Sequence, residues 1–86
     1  SVLNQEEVIV DLYPNPNNGE FKIDLSEIDA KDGVITIVDN VGRVVFNKNI
    51  TSSIEDIHVK NLANGSYYVS IVYSNKQILK KIQIIN

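Results

Sequence analysis

Tyr13-Pro14-Asn15-Pro16-Asn17-Asn18-Gly19-Glu20-Phe21 is the stretch on which the fold turns. Each proline ring holds φ near about −65° and removes a backbone donor, and the residue before each ring is driven out of the helical region by the clash with Cδ. No helix can cross such a segment. Asn18 and Gly19 tolerate the positive φ that turns the chain back, and Phe21 opens an apolar alternation with Ile23 and Leu25. The nonapeptide is therefore a rigid corner between two extended segments.

Outward from that corner the chain reads as strand throughout. Apolar residues recur with period two, and no window carries the i, i+3, i+4, i+7 stripe of a helix. Val8, Val10 and Leu12 share one face of a first strand, and Phe21, Ile23 and Leu25 do the same in a second. Residues 26–33 form a polar link ending in an Asp32-Gly33 turn. Val34-Ile35-Thr36-Ile37-Val38 is apolar on both faces, the pattern of a strand in the middle of the packing. Asp39-Asn40-Val41-Gly42 turns it into Arg43-Val44-Val45-Phe46 as a hairpin. Ile54, Ile57 and Val59 mark a shorter, less regular fifth strand. Tyr67, Val69, Ile71 and Tyr73 line one side of a sixth, and Ser74-Asn75-Lys76 closes a hairpin into a seventh over residues 77–85. Short strands with turn signals about every ten residues predict an all-β, seven-stranded, immunoglobulin-like antiparallel β-sandwich.

Composition excludes several classes of function. The 86 residues make one domain, too small to spare core volume for a deep enclosed active site. There is no cysteine, hence no disulfide framework, thiolate metal site or cysteine nucleophile. Eight basic and eleven acidic side chains give a net charge of −3, and the lysines are dispersed, which argues against a nucleic-acid partner because phosphate binding needs a clustered basic face. No apolar run reaches the roughly 18 residues needed to span a bilayer. Residues 1–7 are polar and acidic, unlike a cationic signal segment. The absence of methionine and the opening serine lead us to expect a piece of a longer polypeptide.

Residues able to do chemistry have simpler explanations. His58 lies between Ile57 and Val59, so alternation points it away from the core, and no serine and carboxylate accompany it as a triad would require. Asp29, Asp32 and Asp39 fall in turns and lack the spacing of a calcium loop. Glu6-Glu7 and Glu55-Asp56 sit in stretches that look exposed, and strand neighbours face opposite sides, so neither is a glycosidase pair. Tyr13, Tyr67, Tyr68 and Tyr73 could build a sugar platform, but Tyr67 and Tyr73 share a face with Val69 and Ile71, which reads as core. No enzyme, metal site or cofactor is expected. Lys80-Lys81 places charge on both faces of the last strand, a device that protects an edge from pairing, unless a partner reads the charges.

Four motifs occur in order: Tyr13-Pro14-Asn15-Pro16 with Gly19 and Phe21; Asp39 with Gly42-Arg43-Val44-Val45; Leu62 with Gly65, Tyr67, Val69 and Ile71; and Lys80-Lys81-Ile82 near the end. Together they resemble the type A C-terminal sorting domain of the Bacteroidetes type IX (Por) secretion system, over nearly the whole chain from Asp11 to Ile85. The departures are a more charged fifth segment and a short tail after the lysines. The resemblance implies an immunoglobulin-like domain at the end of a larger protein, with residues 1–7 a flexible linker from a preceding cargo region and residues 8–86 the sorting domain. It further implies transit through the periplasm, recognition by the outer-membrane type IX machinery, cleavage by its sortase-like peptidase, and a secreted or cell-surface destination. Pro14, Asn15, Pro16, Gly19, Gly42, Arg43, Gly65, Tyr67, Lys80 and Lys81 are then the expected residues of sorting and partner recognition. The competing reading is a small accessory sandwich that binds carbohydrate or a protein ligand. Exposed aromatic side chains on one face would favour it, and buried tyrosines would count against it.

Overall fold

A computed structural model describes residues 10–86. The expected linker and the Val8 start of the first strand lie outside the described residues. Seven strands are present: β1 (Asp11–Tyr13), β2 (Glu20–Asp24), β3 (Val34–Val38), β4 (Val44–Asn49), β5 (Ile54–His58), β6 (Gly65–Tyr73) and β7 (Lys76–Ile84). They form a three-stranded sheet, β1-β2-β5, and a four-stranded sheet, β4-β3-β6-β7, with every pairing antiparallel. This is the all-β, immunoglobulin-like sandwich that the alternation predicts.

The core lies between the two sheets. Phe21, Ile23 and Ile57 of the small sheet and Ile35, Ile37, Val69, Ile71, Ile82 and Ile84 of the large one are buried in a single cluster. Fully burying each such side chain stabilises by about 1.5–3 kcal/mol, which is why a chain this short needs one on nearly every inward position. Ser74 and Asn75 join β6 to β7 with φ of 46° and 62°, the left-handed pair that matches the twist of a two-residue hairpin.

Three expectations require correction. Val34–Val38 is buried only on its inner side: Ile35 and Ile37 are inaccessible, whereas Val34, Thr36 and Val38 are half-buried. β3 is central within its sheet, between β4 and β6, but a two-layer sandwich covers one face of a strand, not both. Glu55, expected on an exposed stretch, faces inward beside Ile57 and is buried, while Ile54 points outward. Val10, expected within the first strand, is buried but lies just before β1, which runs over Asp11–Tyr13.

Both edges of the large sheet carry a lysine on the inner face. On β4, Lys48 pairs in register with Ile35 and reaches Glu55 across the sandwich, with Nζ 3.1 Å from the carboxylate. On β7, Lys80 pairs in register with Val69 and is half-buried. A β-bulge at Ile37/Val38 further distorts the β4 edge. Inward charges and bulges are the devices by which sheet edges resist pairing with another chain.

Candidate recognition surface

The proline corner clasps the two sheets together. Asn17 is buried and pairs as a parallel bridge with Ile84: its N–H donates to the Gln83 carbonyl at 3.0 Å and its carbonyl accepts from the Ile85 N–H at 2.8 Å. Asn15 extends the clasp, its Oδ1 accepting from the Gln83 N–H at 3.1 Å and its Nδ2 donating to the Lys81 carbonyl at 3.4 Å. The corner therefore occupies the outer edge of β7 over residues 81–85. Asn17 also fixes the corner's own shape, since Nδ2 donates to the Pro14 carbonyl at 3.0 Å and Oδ1 accepts from the Gly19 N–H at 2.9 Å. Replacing Asn17 by alanine is expected to cost about 1–2 kcal/mol, because a buried amide and carbonyl lose their partners. Chemical denaturation reads this directly, and an unchanged midpoint would show that the side chain is dispensable.

The second motif is a stapled turn. The Asp39 carboxylate accepts from the Val41 N–H at 3.0 Å, the Arg43 N–H at 2.9 Å and the Arg43 Nε at 2.8 Å. The Arg43 amide, working against the cost of burial and together with the Val41 amide and the Arg43 guanidinium, holds the Asp39 carboxyl below its ordinary value. Gly42 takes φ of +93° at the turn, and the rest of the Arg43 side chain stands in solvent.

In the third motif Tyr67 is buried at the start of β6 and its hydroxyl donates to the Ala63 carbonyl at 2.7 Å. This is the tyrosine corner of immunoglobulin-like sandwiches, a structural clamp. The sequence Leu62-x-x-Gly65-x-Tyr67 carries that signal, just as Asn17 followed by Gly19 carries the signal of a side-chain-capped turn. The fourth motif splits: Lys81 is exposed on the outer face of β7, whereas Lys80 turns inward.

Antiparallel register brings these motifs together. Val38, at the end of β3, pairs with Val44 and with Tyr68, and Tyr68 pairs with Lys81. The Asp39–Arg43 turn, the start of β6 and the end of β7 consequently share one end of the sandwich. The proline corner joins them through Gln83 and Ile85, and through the Val59 N–H, which donates to the Gly19 carbonyl at 2.8 Å. Pro14, Asn15, Pro16, Gly19, Gly42, Arg43, Gly65 and Tyr67 thus gather at that end with Lys81 beside them. Lys80 alone is turned away. An open groove there is lined by Pro14, Pro16, Asn17, Asn18 and Ile85.

The alternative chemistries find no support among the described residues. Tyr67 and Tyr73 are buried, and the exposed Tyr13 and Tyr68 belong to different sheets, so no aromatic platform forms. His58 is exposed, 4.0 Å from Glu20. No group of His, Asp and Glu is arranged to hold a metal ion.

The motif residues thus converge on one end of the sandwich, some buried as scaffold and some exposed. Comparison with known families gives the class: the chain matches the family described as Secretion system C-terminal sorting domain over residues 11–85, and it belongs to that family. It is accordingly a C-terminal sorting signal of type IX secretion, and the family is not one of enzymes. No curated protein matches the chain. Among solved structures it is similar to part of PorZ, an essential bacterial surface component of the type-IX secretion system of Porphyromonas gingivalis, with a TM-score of 0.76 and 20% identity. The match covers 90% of this chain and 11% of that one, a likeness of fold.

Proposed function

We propose that this domain directs a larger cargo protein, carried on its N-terminal side, from the periplasm through the outer-membrane type IX machinery to the cell surface or the medium. The observation that supports this reading is the convergence of four sequence-distant motifs on one end of a rigid sandwich. A folded signal needs a fixed shape and accessible groups, which the corner, the stapled turn and the tyrosine clamp supply. Gly19, Gly65 and Tyr67 hold the shape. Pro14, Asn15, Pro16, Gly42, Arg43 and Lys81 form the surface read by the machinery, and Lys80 guards the β7 edge. Residues 1–7 serve as linker and residues 8–86 as the sorting domain, with cleavage by the sortase-like peptidase falling at or before the linker, since strand residues from Asp11 onward are committed to the sheet.

The test is a reporter with an inner-membrane export signal fused ahead of residues 1–86 in a type IX-competent cell. The wild-type domain is expected to deliver the reporter outside the cell, with the released fragment's N-terminus before Val8 by mass spectrometry. The double variant Asn15→Ala with Lys81→Gln alters exposed positions but removes the two Asn15 bonds to β7, so stability should fall by about 1–2 kcal/mol, with the domain still folded by thermal melting, while export drops sharply. Normal export by that variant would remove Asn15 and Lys81 from the recognition surface. Equal export with and without the domain would refute the function.

A further inference from the structure

The two sheets present opposite chemistry to solvent. Alternation places Asp11, Glu20, Lys22, Asp24 and Asp56 on the outer face of the small sheet, with Lys22 and Asp56 in an ion pair. Among the described residues, the outer face of the large sheet carries no carboxylate. Its register aligns Val44, Val38, Tyr68 and Lys81 in one row across all four strands. Leu79 stands in the next row, beside Ser70, Thr36 and Asn47, and Val72 in the row beyond, beside Val34. Val34 joins Val72 on this face, the remaining outward strand positions are Ser, Thr, Asn and Gln, and Lys81 is the one charge among the described residues. Val44 is 61% exposed, Leu79 59%, Val72 45% and Tyr68 36%.

Nothing about folding requires this composition, because the same type of position on the small sheet accommodates charge nearly everywhere. Through the diagonal neighbours Tyr68, Leu79 and Val72, the Val44–Val38–Tyr68 row continues as an apolar stripe on one side of an otherwise acidic molecule, the kind of surface that marks an interaction site. Its size limits the occupant. Four strands about 4.8 Å apart and five residues at about 3.3 Å each give a footprint of roughly 300 Å², well below the about 800 Å² per partner of a stable interface. A permanent homodimer does not fit, whereas a transient contact that must later be released does. Charge fixes the rest: a face without carboxylates and with Lys81 at its margin complements an apolar surface bearing a carboxylate.

We infer that the outer face of the four-stranded sheet, centred on Val44, Tyr68, Val72 and Leu79, is a second docking surface, for a protein of the export apparatus whose contact area is apolar and places a carboxylate opposite Lys81. This rests on the sorting function, and the face adjoins the motif end, with which it shares Val44 and Lys81, and extends from it to Leu79 and Val72.

Substitutions of equal size and opposite sign test it in the reporter assay. Val72→Glu with Leu79→Glu is expected to lower export about tenfold or more, because like charge at an interface is strongly repelled, while Val72→Lys with Leu79→Lys retains most of it. Ile54→Glu, on the outer face of the small sheet, should export as the wild type does. Thermal melting of each purified domain separates folding from docking, and the lysine pair matches the glutamate pair in lost apolar area. Wild-type export by the glutamate pair, or equal loss with either sign at equal melting temperature, overturns the inference. So does a wild-type dimer in sedimentation that Leu79→Glu dissociates, or binding to phosphatidylglycerol vesicles that the same change abolishes. Failure of the wild-type domain to export refutes the sorting reading itself, and this inference with it.

Discussion

Replacing Gly19 by alanine is expected to destabilise the domain by on the order of 3 kcal/mol, since two separate costs fall on one methyl group. The residue takes φ of +106°, a backbone conformation that side-chain-bearing residues rarely adopt. A Cβ there would also lie 2.3 Å from the Val59 carbonyl oxygen, a backbone atom that cannot swing away as a side chain would. Relief requires moving the start of β2 from the β5–β6 link, which strains the Gly19–Val59 hydrogen bond and the Asn17 strap on β7. For a domain of this size, about 3 kcal/mol lowers the melting temperature by roughly 12–24 °C. Gly42→Ala is the comparison: φ is +93°, but no atom lies within 4 Å of the added Cβ, so only the backbone cost of about 1 kcal/mol applies. Urea titration of the two variants measures both. Equal midpoints would show that the Val59 carbonyl yields, and the corner would be less rigid than its geometry indicates.

The strand alternation was enough to give all seven strands and the two-sheet architecture, because burial on one face imposes period two wherever it occurs. The proline corner was legible as a corner, since ring geometry acts locally. Its purpose was not: that Asn17 would replace a missing strand against Gln83 and Ile85 depends on a partner more than sixty residues away. The convergence of the motifs was hidden for the same reason, as antiparallel register, and not sequence spacing, puts Val38, Tyr68 and Lys81 in one row. Two misreadings came from judging residue type before position. An apolar run at 34–38 suggested burial on both sides, yet its outer half is half-exposed and contributes to the candidate docking face. Charge at 55–56 suggests an exposed stretch of the fifth strand, yet Glu55 takes an inward position that the neighbouring amides make tenable.

The proposed recognition and the integrity of the fold can be separated experimentally at this surface. Asn15, Arg43 and Lys81 are exposed, whereas Asn17, Gly19 and Tyr67 are buried. Substitution of Lys81 tests reading of the signal alone, that of Asn15 or Arg43 also loosens the clasp or the Asp39 turn, and those in the second group test the shape. A variant of the second group that fails to export says only that an unfolded domain is not a signal.

Glu55 is the position where pH should register most clearly. Its carboxylate, 3% exposed, accepts from the Thr51 N–H at 2.8 Å and the Ser52 N–H at 3.0 Å, and meets Lys48 of the opposite sheet. Burial by itself raises the carboxyl, but the hydrogen bonds from Thr51, Lys48 and Ser52 outweigh it and hold the group below its ordinary value of 4.5. A carboxyl lowered in the folded state binds fewer protons there than in the unfolded chain, so its contribution is complete above the ordinary value. That contribution is lost as pH falls through the lowered one. Glu55→Gln keeps the volume but removes the charge and turns an amide towards Lys48 or the backbone donors. We expect it to cost about 2 kcal/mol near neutral pH, less than breaking a fully buried pair because Lys48 remains partly solvated. The gap between wild type and variant should then hold from neutral pH down to the ordinary value of 4.5 and close as the pH falls below it. Asp24, Asp39 and Asp56 are also held low, but they are present in both proteins and cancel in the difference. Denaturant melts across that range read the gap. A gap that stays constant with pH would assign Glu55 a packing role alone and remove the electrostatic tie between the sheets.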